Sequence, residues 1–313
     1  MSPLDPHDHV LVLLSGGQDS TTCLAQAFAD VDQTPARLHT VSFNYGQRHV
    51  RELDAAQRVA DIYEVPPSQR YELHVPVGTF STHTPLTGAQ PLEQYASFEA
   101  MERIIGSRVE KTFVPGRNFV FLSLACALAA GNPRIARVVT GVAEADGANY
   151  PDCRELFIRA FEAALHAALG DTRLRVSAPL LHLSKADTVR LALSLPRAYY
   201  ALAYSHTAYD GQYPPVGADH ATVLRAEGFR QAGVPDPLFV RARLENPLFS
   251  HPVYQSDAFT RWYTPWVRER ASTETGGSCK APSAPPEFGP VTPVASALWA
   301  WAQWVTSQQG VIT

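Results

Sequence analysis

A short apolar run, His9 to Leu14, ends in Ser15-Gly16-Gly17-Gln18-Asp19-Ser20 and passes at once into Thr21 to Ala29, which has helical character. Strand, glycine turn and helix in that order restrict the fold more than any bulk property. They set a helix N-terminus at the carboxyl end of a strand, where sheets of the crossover type bind their ligands. Two glycines let the backbone turn tightly and approach phosphate, and the helix end offers N–H groups and a positive dipole end. Gly17 is expected to sit where backbone meets phosphate, so that any Cβ would intrude, while Ser15 and Ser20 add hydroxyls. The plainer alternative is a glycine turn in which Asp19 or a serine only caps a helix. Position and the full hexapeptide oppose it. The segment is neither the lysine-bearing phosphate loop G-x-x-x-x-G-K-[ST] nor the dinucleotide fingerprint G-x-G-x-x-G.

The rhythm continues along the chain. Leu38 to Phe43 reads as a strand, and Val50 to Tyr63 carries apolar residues at helical spacing. Tyr71 to Val75 reads as a third strand, Phe119 to Ala130 as a helix, Arg137 to Gly141 as a strand, and Arg154 to Leu169 and Ser184 to Leu195 as further helical stretches. Such alternation predicts an α/β, Rossmann-like parallel sheet with flanking helices. Residues 78–112 break the pattern as an irregular insertion, with a short helix around Phe98 to Ile105, and suit a lid or a docking surface. From about Gly233 the alternation stops. Residues 272–293 are rich in Ser, Gly, Pro and Thr and read as a linker or extended wrap, before a terminal stretch with Trp299, Trp301 and Trp304. Two units are expected, 1–233 and a C-terminal extension, 234–313.

A net charge of -4 gives no broad footprint for a polyanion, so direct nucleic-acid binding is not expected. No stretch approaches the roughly 18 apolar residues of a membrane span, and the first residues do not read as a secretory signal. The cytoplasm is the expected location. Cys23, Cys126, Cys153 and Cys279 are scattered without a Cys-x-x-Cys pair, so neither a disulfide framework nor a sulfur-rich metal site is written here.

Further segments give the loop a context. Phe43-Asn44-Tyr45-Gly46-Gln47-Arg48-His49 is followed by Glu52 and Leu53. Val114-Pro115-Gly116-Arg117-Asn118 precedes Phe121-Leu122-Ser123. Asp146 precedes Tyr150-Pro151-Asp152-Cys153-Arg154, and Pro179-Leu180 precedes Ser184-Lys185-Ala186-Asp187-Thr188-Val189. Together with the hexapeptide, these five ordered motifs resemble the 7-cyano-7-deazaguanine synthase family of PP-loop enzymes, across roughly residues 10 to 230. Asn44 stands where that family usually has Asp, and Ala148-Asn149 where it usually has Ser-Gly.

The resemblance implies an adenine nucleotide alpha hydrolase-like fold. It also implies an ATP-dependent carbon–nitrogen ligase that adenylates 7-carboxy-7-deazaguanine, forms its amide with ammonia and dehydrates the amide to the nitrile. ATP would lie on Ser15, Gly16, Gly17, Gln18 and Ser20. Lys185, Arg117 and Asp19 are the catalytic candidates, because carboxylate attack on the α-phosphate gathers negative charge that cations must offset, with Mg²⁺ as a third carrier. The deazapurine would meet Tyr45, Gln47, Arg48, Asn118, Asp146, Tyr150, Asp152 and Arg154. Asp146 and Asp152 could instead hold Mg²⁺, and Asp152 could merely cap the helix starting near Arg154.

The family's four zinc cysteines precede a Leu-Arg-x-x-Gly-Phe stretch, here Leu224 to Phe229, and the matching positions hold Ala208, Val216, Asp219 and Thr222. None supplies a thiolate, so no zinc is expected. His206, Asp210, Asp219 and His220 are read as solvated loop residues rather than substitute ligands, and the tail's aromatics are expected to brace the loop. Three functions stay open: the housekeeping synthase; a diverged relative, tied to anti-phage defence, that hands the activated deazaguanine to an amine of a partner protein; and a nucleotide-binding scaffold without turnover. A homodimer is expected.

Overall fold

The computed structural model describes residues 4–46, 51–76, 84–86, 91–144, 149–254, 262, 265–266 and 293–308. Five parallel strands form one sheet: β1 (His9–Leu13), β2 (Leu38–Asn44), β3 (Arg70–His74), β4 (Ile135–Val139) and β5 (Arg175–Ser177), in the order β3-β2-β1-β4-β5. Val10 pairs with Leu38 on one side of β1 and with Arg137 on the other. The chain thus winds outward from β1 through β2 and β3, then returns to β1's free edge as β4. This reversal places a crevice outside the carboxyl ends of β1 and β4.

Alternation along β1 explains why both faces are covered. Val10, Val12 and Leu14 enter one apolar cluster, and Leu11 and Leu13 the opposite one. The first cluster takes in α1 (Gln18–Asp30), α2 (Arg51–Ile62), α6 (Lys185–Ser194) and α7 (Ala198–Leu202). The second takes in α4 (Arg117–Ala130) and α5 (Glu155–Leu169). The α/β class expected from the sequence is the fold observed.

Several boundaries differ from the sequence reading. Helix α1 begins at Gln18, so Gln-Asp-Ser forms its first turn with Gly17 as N-cap. Strand β4 spans Ile135–Val139 and stops short of Gly141. The three-residue β5 is too short for any periodicity to announce it.

In the insertion, α3 (Phe98–Ile105) is capped by Ser97, whose Oγ accepts from the Ala100 N–H. Tyr95, Met101 and Ile105 pack on Val223 and Leu224 of α8 (His220–Ala232). The Tyr95 N–H donates to the Ala218 carbonyl at 2.8 Å, so this part of the insertion is docked on the segment that leads into α8.

Beyond Gly233, α9 (Pro237–Glu245) and α10 (Pro293–Ser307) follow. Leu298, Trp301 and Val305 are fully buried in the cluster that holds α1 and α7, and Trp299 meets Tyr200 edge-on at 5.0 Å. Residues either side of 233 therefore share one apolar core. The linker residues 272–292 lie outside the described residues, and Pro293 opens α10 rather than closing the linker. No helix among the described residues is long and apolar enough to cross a membrane.

Candidate active site

The Ser15–Ser20 loop owes its shape chiefly to Gly16. Its φ is +82°, and a Cβ there would lie 2.4 Å from the Glu52 carbonyl oxygen and 2.6 Å from the Ala56 nitrogen, both backbone atoms of α2. Gly17 has φ -77° and ψ 173°, and its Cβ would stand 3.4 Å from Ser15 Oγ, an ordinary contact. Within the protein the close approach is between loop and α2, and Gly16 makes it, while the expectation for Gly17 concerns phosphate. Ser15 and Ser20 join hydroxyls at 3.0 Å, and Ser20 Oγ donates to the Gly17 carbonyl at 3.2 Å. The first turn of α1 leaves N–H groups without intrahelical acceptors, directed at the crevice.

A cavity of about 660 Å³ opens beside this loop, within the size range of small-molecule sites. Ser15, Gly17, Gln18, Asp19 and Ser20 line it from α1's end. Lys185, the first residue of α6, reaches in and donates to both carboxylate oxygens of Asp19 at 2.8 and 3.0 Å. Gly228 on α8 makes room for the lysine stem, since a Cβ there would come within 3.0 Å of Lys185 Cγ. Arg117, at the first turn of α4, lines another wall with its guanidinium over the Tyr45 ring at 5.9 Å. One cation thus enters from α6 and another from α4, around a single cavity.

Asn118, Tyr150 and Arg154 also line the cavity. The Tyr150 hydroxyl meets Thr112 Oγ1 at 2.5 Å, which ties this wall to the end of the insertion. Asp152 is buried and is not among the lining residues; its Oδ2 accepts from the Asn118 N–H at 3.3 Å. The capping alternative is corrected by this contact: Asp152 serves the first turn of α4, while α5 has Arg154 as N-cap without a side-chain bond. Gln47, Arg48 and Asp146 lie outside the described residues.

Asn149, where the resembled family has Gly, has φ +56°, a conformation that Asn tolerates better than most side chains. Its amide donates to the Arg108 and Gly106 carbonyls at 2.9 and 3.1 Å.

The cavity also includes Glu52, His206, Thr207, Tyr209 and His220, none of which carried a site role in the sequence reading. Glu52 follows the second motif and was visible there. The others arrive on the segment after α7, which folds back so that the His206 N–H donates to the Gly16 carbonyl at 2.8 Å. No local spacing signals that return. His206 and His220 are buried, which corrects their reading as solvated loop residues. Burial lowers His220 to about 4 and lowers His206 as well, so both are neutral at physiological pH.

That same segment corresponds to the family's zinc loop. Among the described residues, no three His, Cys, Asp or Glu side chains gather as a metal group. Carboxylates tie this segment. Asp219 caps α8, accepting from the Thr222 N–H at 2.8 Å and the Tyr209 N–H at 2.7 Å. Asp210 accepts from the Val216 and Gly217 N–H groups at 3.1 and 3.0 Å. From the tail, His251 Nε2 lies 3.1 Å from the Gly217 carbonyl. Deeper in, Arg225 of α8 makes a two-pronged pair with Asp236 at 2.6 and 2.8 Å, both side chains essentially inaccessible, and also donates to Ser205 and Thr207.

The comparisons agree with this arrangement. Residues 9–233 match the family model described as queuosine biosynthesis protein QueC. A 7-cyano-7-deazaguanine synthase of Laribacter hongkongensis is 46% identical over 242 residues, covering 77% of this chain and 98% of that relative. The protein of the same name from Chromobacterium violaceum is 44% identical over 240 residues, 76% of this chain and 96% of the relative. Another, from Gloeobacter violaceus, is 43% identical over 238 residues, 73% and 94% respectively. A five-stranded parallel sheet, a glycine loop at its switch point and a match across most of the chain converge: the protein belongs to the QueC family.

Proposed function

We propose that this enzyme uses ATP to adenylate the carboxylate of 7-carboxy-7-deazaguanine and transfers the acyl group to ammonia, on the way to 7-cyano-7-deazaguanine. The observation that carries the reading is the placement of Lys185 and Arg117 on separate walls of the cavity that the Ser15–Ser20 loop opens into. Attack of a carboxylate on the α-phosphate brings two anions together, and fixed cations in a partly dry site offset that repulsion. Asp19 orients the Lys185 ammonium through both carboxylate oxygens. Loop amides and the α1 end take phosphate oxygens. Mg²⁺ entering with ATP would neutralise phosphate charge, with Asp19 as the carboxylate that the loop itself provides. Phe43 and Phe121, stacked at 4.2 Å, and Tyr45 give the cavity an aromatic wall suited to a planar base.

A second reading keeps the activation and changes the acceptor to an amine of a partner protein. The observation that favours it is the loop from His206 to Asp219, which lacks thiolates at the zinc positions and is bonded to the tail through His251 and Gly217. Incubation with ATP, 7-carboxy-7-deazaguanine and ammonia, followed by mass spectrometry, tests the first reading through the appearance of amide and nitrile. If pyrophosphate is released and neither product forms, the acceptor is another amine. If no pyrophosphate exchange occurs with the acid, activation itself is refuted and a scaffold remains.

A further inference from the structure

Amide formation needs a group that the phosphate machinery does not provide. As the amine nitrogen attacks an acyl adenylate, its lone pair forms the C–N bond and the nitrogen becomes cationic. It must lose a proton before or while the C–O bond to AMP breaks and AMP departs with that electron pair. We propose that the Glu52 carboxylate, in the first turn of α2 and on the cavity wall, accepts this proton from the attacking amine. The inference rests on the activation reading above and deepens it.

Geometry selects Glu52 among the acidic groups of the cavity. Asp19 is committed to Lys185 through both oxygens. Glu144 is exposed and accepts from the Glu155 N–H. Asp152 does not reach the cavity and serves Asn118. The two histidines are poor proton acceptors, since burial disfavours their charged forms and holds His220 at about 4. Glu52 lines the cavity, and among the described residues its carboxylate enters no hydrogen bond.

Its charged neighbours also fit. Burial raises its carboxyl to about 7, the Arg117 guanidinium of α4 draws it down, and Asp219 at the start of α8 raises it further. Tyr45, just past the end of β2, faces it as a neutral phenol, its hydroxyl pushed up to about 12 by burial. A base poised near neutrality takes a proton and returns it to solvent most readily. The position follows from the same close approach that Gly16 allows: α2's first turn lies against the phosphate loop, so its side chain stands beside the adenylate's expected place.

The test separates the two half-reactions. E52Q is assayed for pyrophosphate exchange with ATP and 7-carboxy-7-deazaguanine, which precedes the amine, and for amide formation with ammonia. Exchange is expected within about twofold of wild type, while amide formation falls about a hundredfold. The wild-type acid limb near pH 7 should be missing from the remaining rate. Hydroxylamine, largely unprotonated at neutral pH, should restore most of the transfer rate in E52Q. E52D, which keeps a carboxylate, should fall between wild type and E52Q and covers the case in which E52Q fails to fold. Equal losses of exchange and transfer, or transfer at the wild-type rate in E52Q or E52D without an acid limb, would overturn the assignment. A wild-type protein without exchange would overturn the activation reading and this inference with it.

Discussion

Replacing Gly16 and Gly17 one at a time by alanine separates folding from phosphate binding within a single loop. At Gly16 the new methyl must adopt φ near +82°, which costs about 1–2 kcal/mol for an L-residue. It must also push the α2 backbone away, because 2.4 Å to the Glu52 oxygen falls about 1 Å short of ordinary contact, and overpacking of that kind costs about 1–3 kcal/mol. The sum, roughly 2–5 kcal/mol, is a large part of a typical stability and should lower the melting temperature of a 313-residue chain by roughly 3–8 °C. At Gly17 the backbone is extended and the methyl meets Ser15 Oγ at 3.4 Å and the His206 carbonyl oxygen at 3.7 Å, both ordinary contacts, so stability should change by less than about 0.5 kcal/mol. Gly17 lines the cavity, however, and a methyl there stands where phosphate must approach. Thermal unfolding followed by circular dichroism, paired with pyrophosphate exchange, should give a destabilised Gly16→Ala and a stable but inactive Gly17→Ala. A Gly16→Ala protein that melts with wild type would refute the loop-against-helix argument. Full exchange by Gly17→Ala would remove phosphate from that side of the loop.

Lys185→Ala and Arg117→Ala should each lower the maximal exchange rate by about a hundredfold, whereas a rise in KM alone would make them uniform binders. Arg225→Met should cost about 3–5 kcal/mol in urea denaturation by leaving Asp236 buried without its cation; Arg190→Ala, which breaks an exposed pair with Asp187, should change little, and comparable losses would contradict the burial argument. Purified protein should carry no stoichiometric zinc, and a strong chelator should leave its melting temperature unchanged; one tightly held zinc per chain would return His206 and His220 to the ligand question.

The reach of the sequence can be seen at particular residues. The hexapeptide between β1 and α1 disclosed the site because its signal is local: strand, turn and helix end are all within fifteen or so residues. Which glycine is strained was hidden, since that depends on α2, whose Glu52 and Ala56 meet the loop only in three dimensions. Lys185 and Asp19 were each recognisable in a motif, but their 2.8 Å contact spans 166 positions and has no periodic trace. His206, Tyr209 and His220 escaped for a similar reason, arriving on an irregular segment whose course is set by packing and by hydrogen bonds from distant chain. The tail's aromatics were expected to pack, and Phe239 and Trp266 are buried, because aromatic area of that size rarely stays in water; for Trp299 and Trp301, buried as well, no such expectation was drawn. The surface they would cover was not readable, as α7 shows no distinctive pattern in its five residues.

The loop at the positions where the resemblance places zinc cysteines is held, among the described residues, by carboxylates and a buried ion pair. A structural zinc holds several backbone segments at one point, and its removal leaves those segments with no shared tether. Here the thiolate positions hold a helix cap, Asp219, and three residues unable to bind metal, while Asp210 gathers the Val216 and Gly217 amides. Each such bond contributes about 0.5–1.5 kcal/mol net, much less than a metal site. Burial adds to them. Asp236 is where it enters, because this one carboxylate pairs with Arg225, accepts from the Tyr254 hydroxyl at 2.8 Å and caps α9 through the Leu238 N–H at 3.0 Å. Arg225 in turn donates to Ser205 and Thr207, at the start of the refolded loop. The loop is therefore anchored to the tail through a buried pair, and the tail is anchored to the core through Trp299 and Trp301. The terminal helix α10 covers apolar surface of α7 and α9, so its removal would expose that surface whatever else holds the loop.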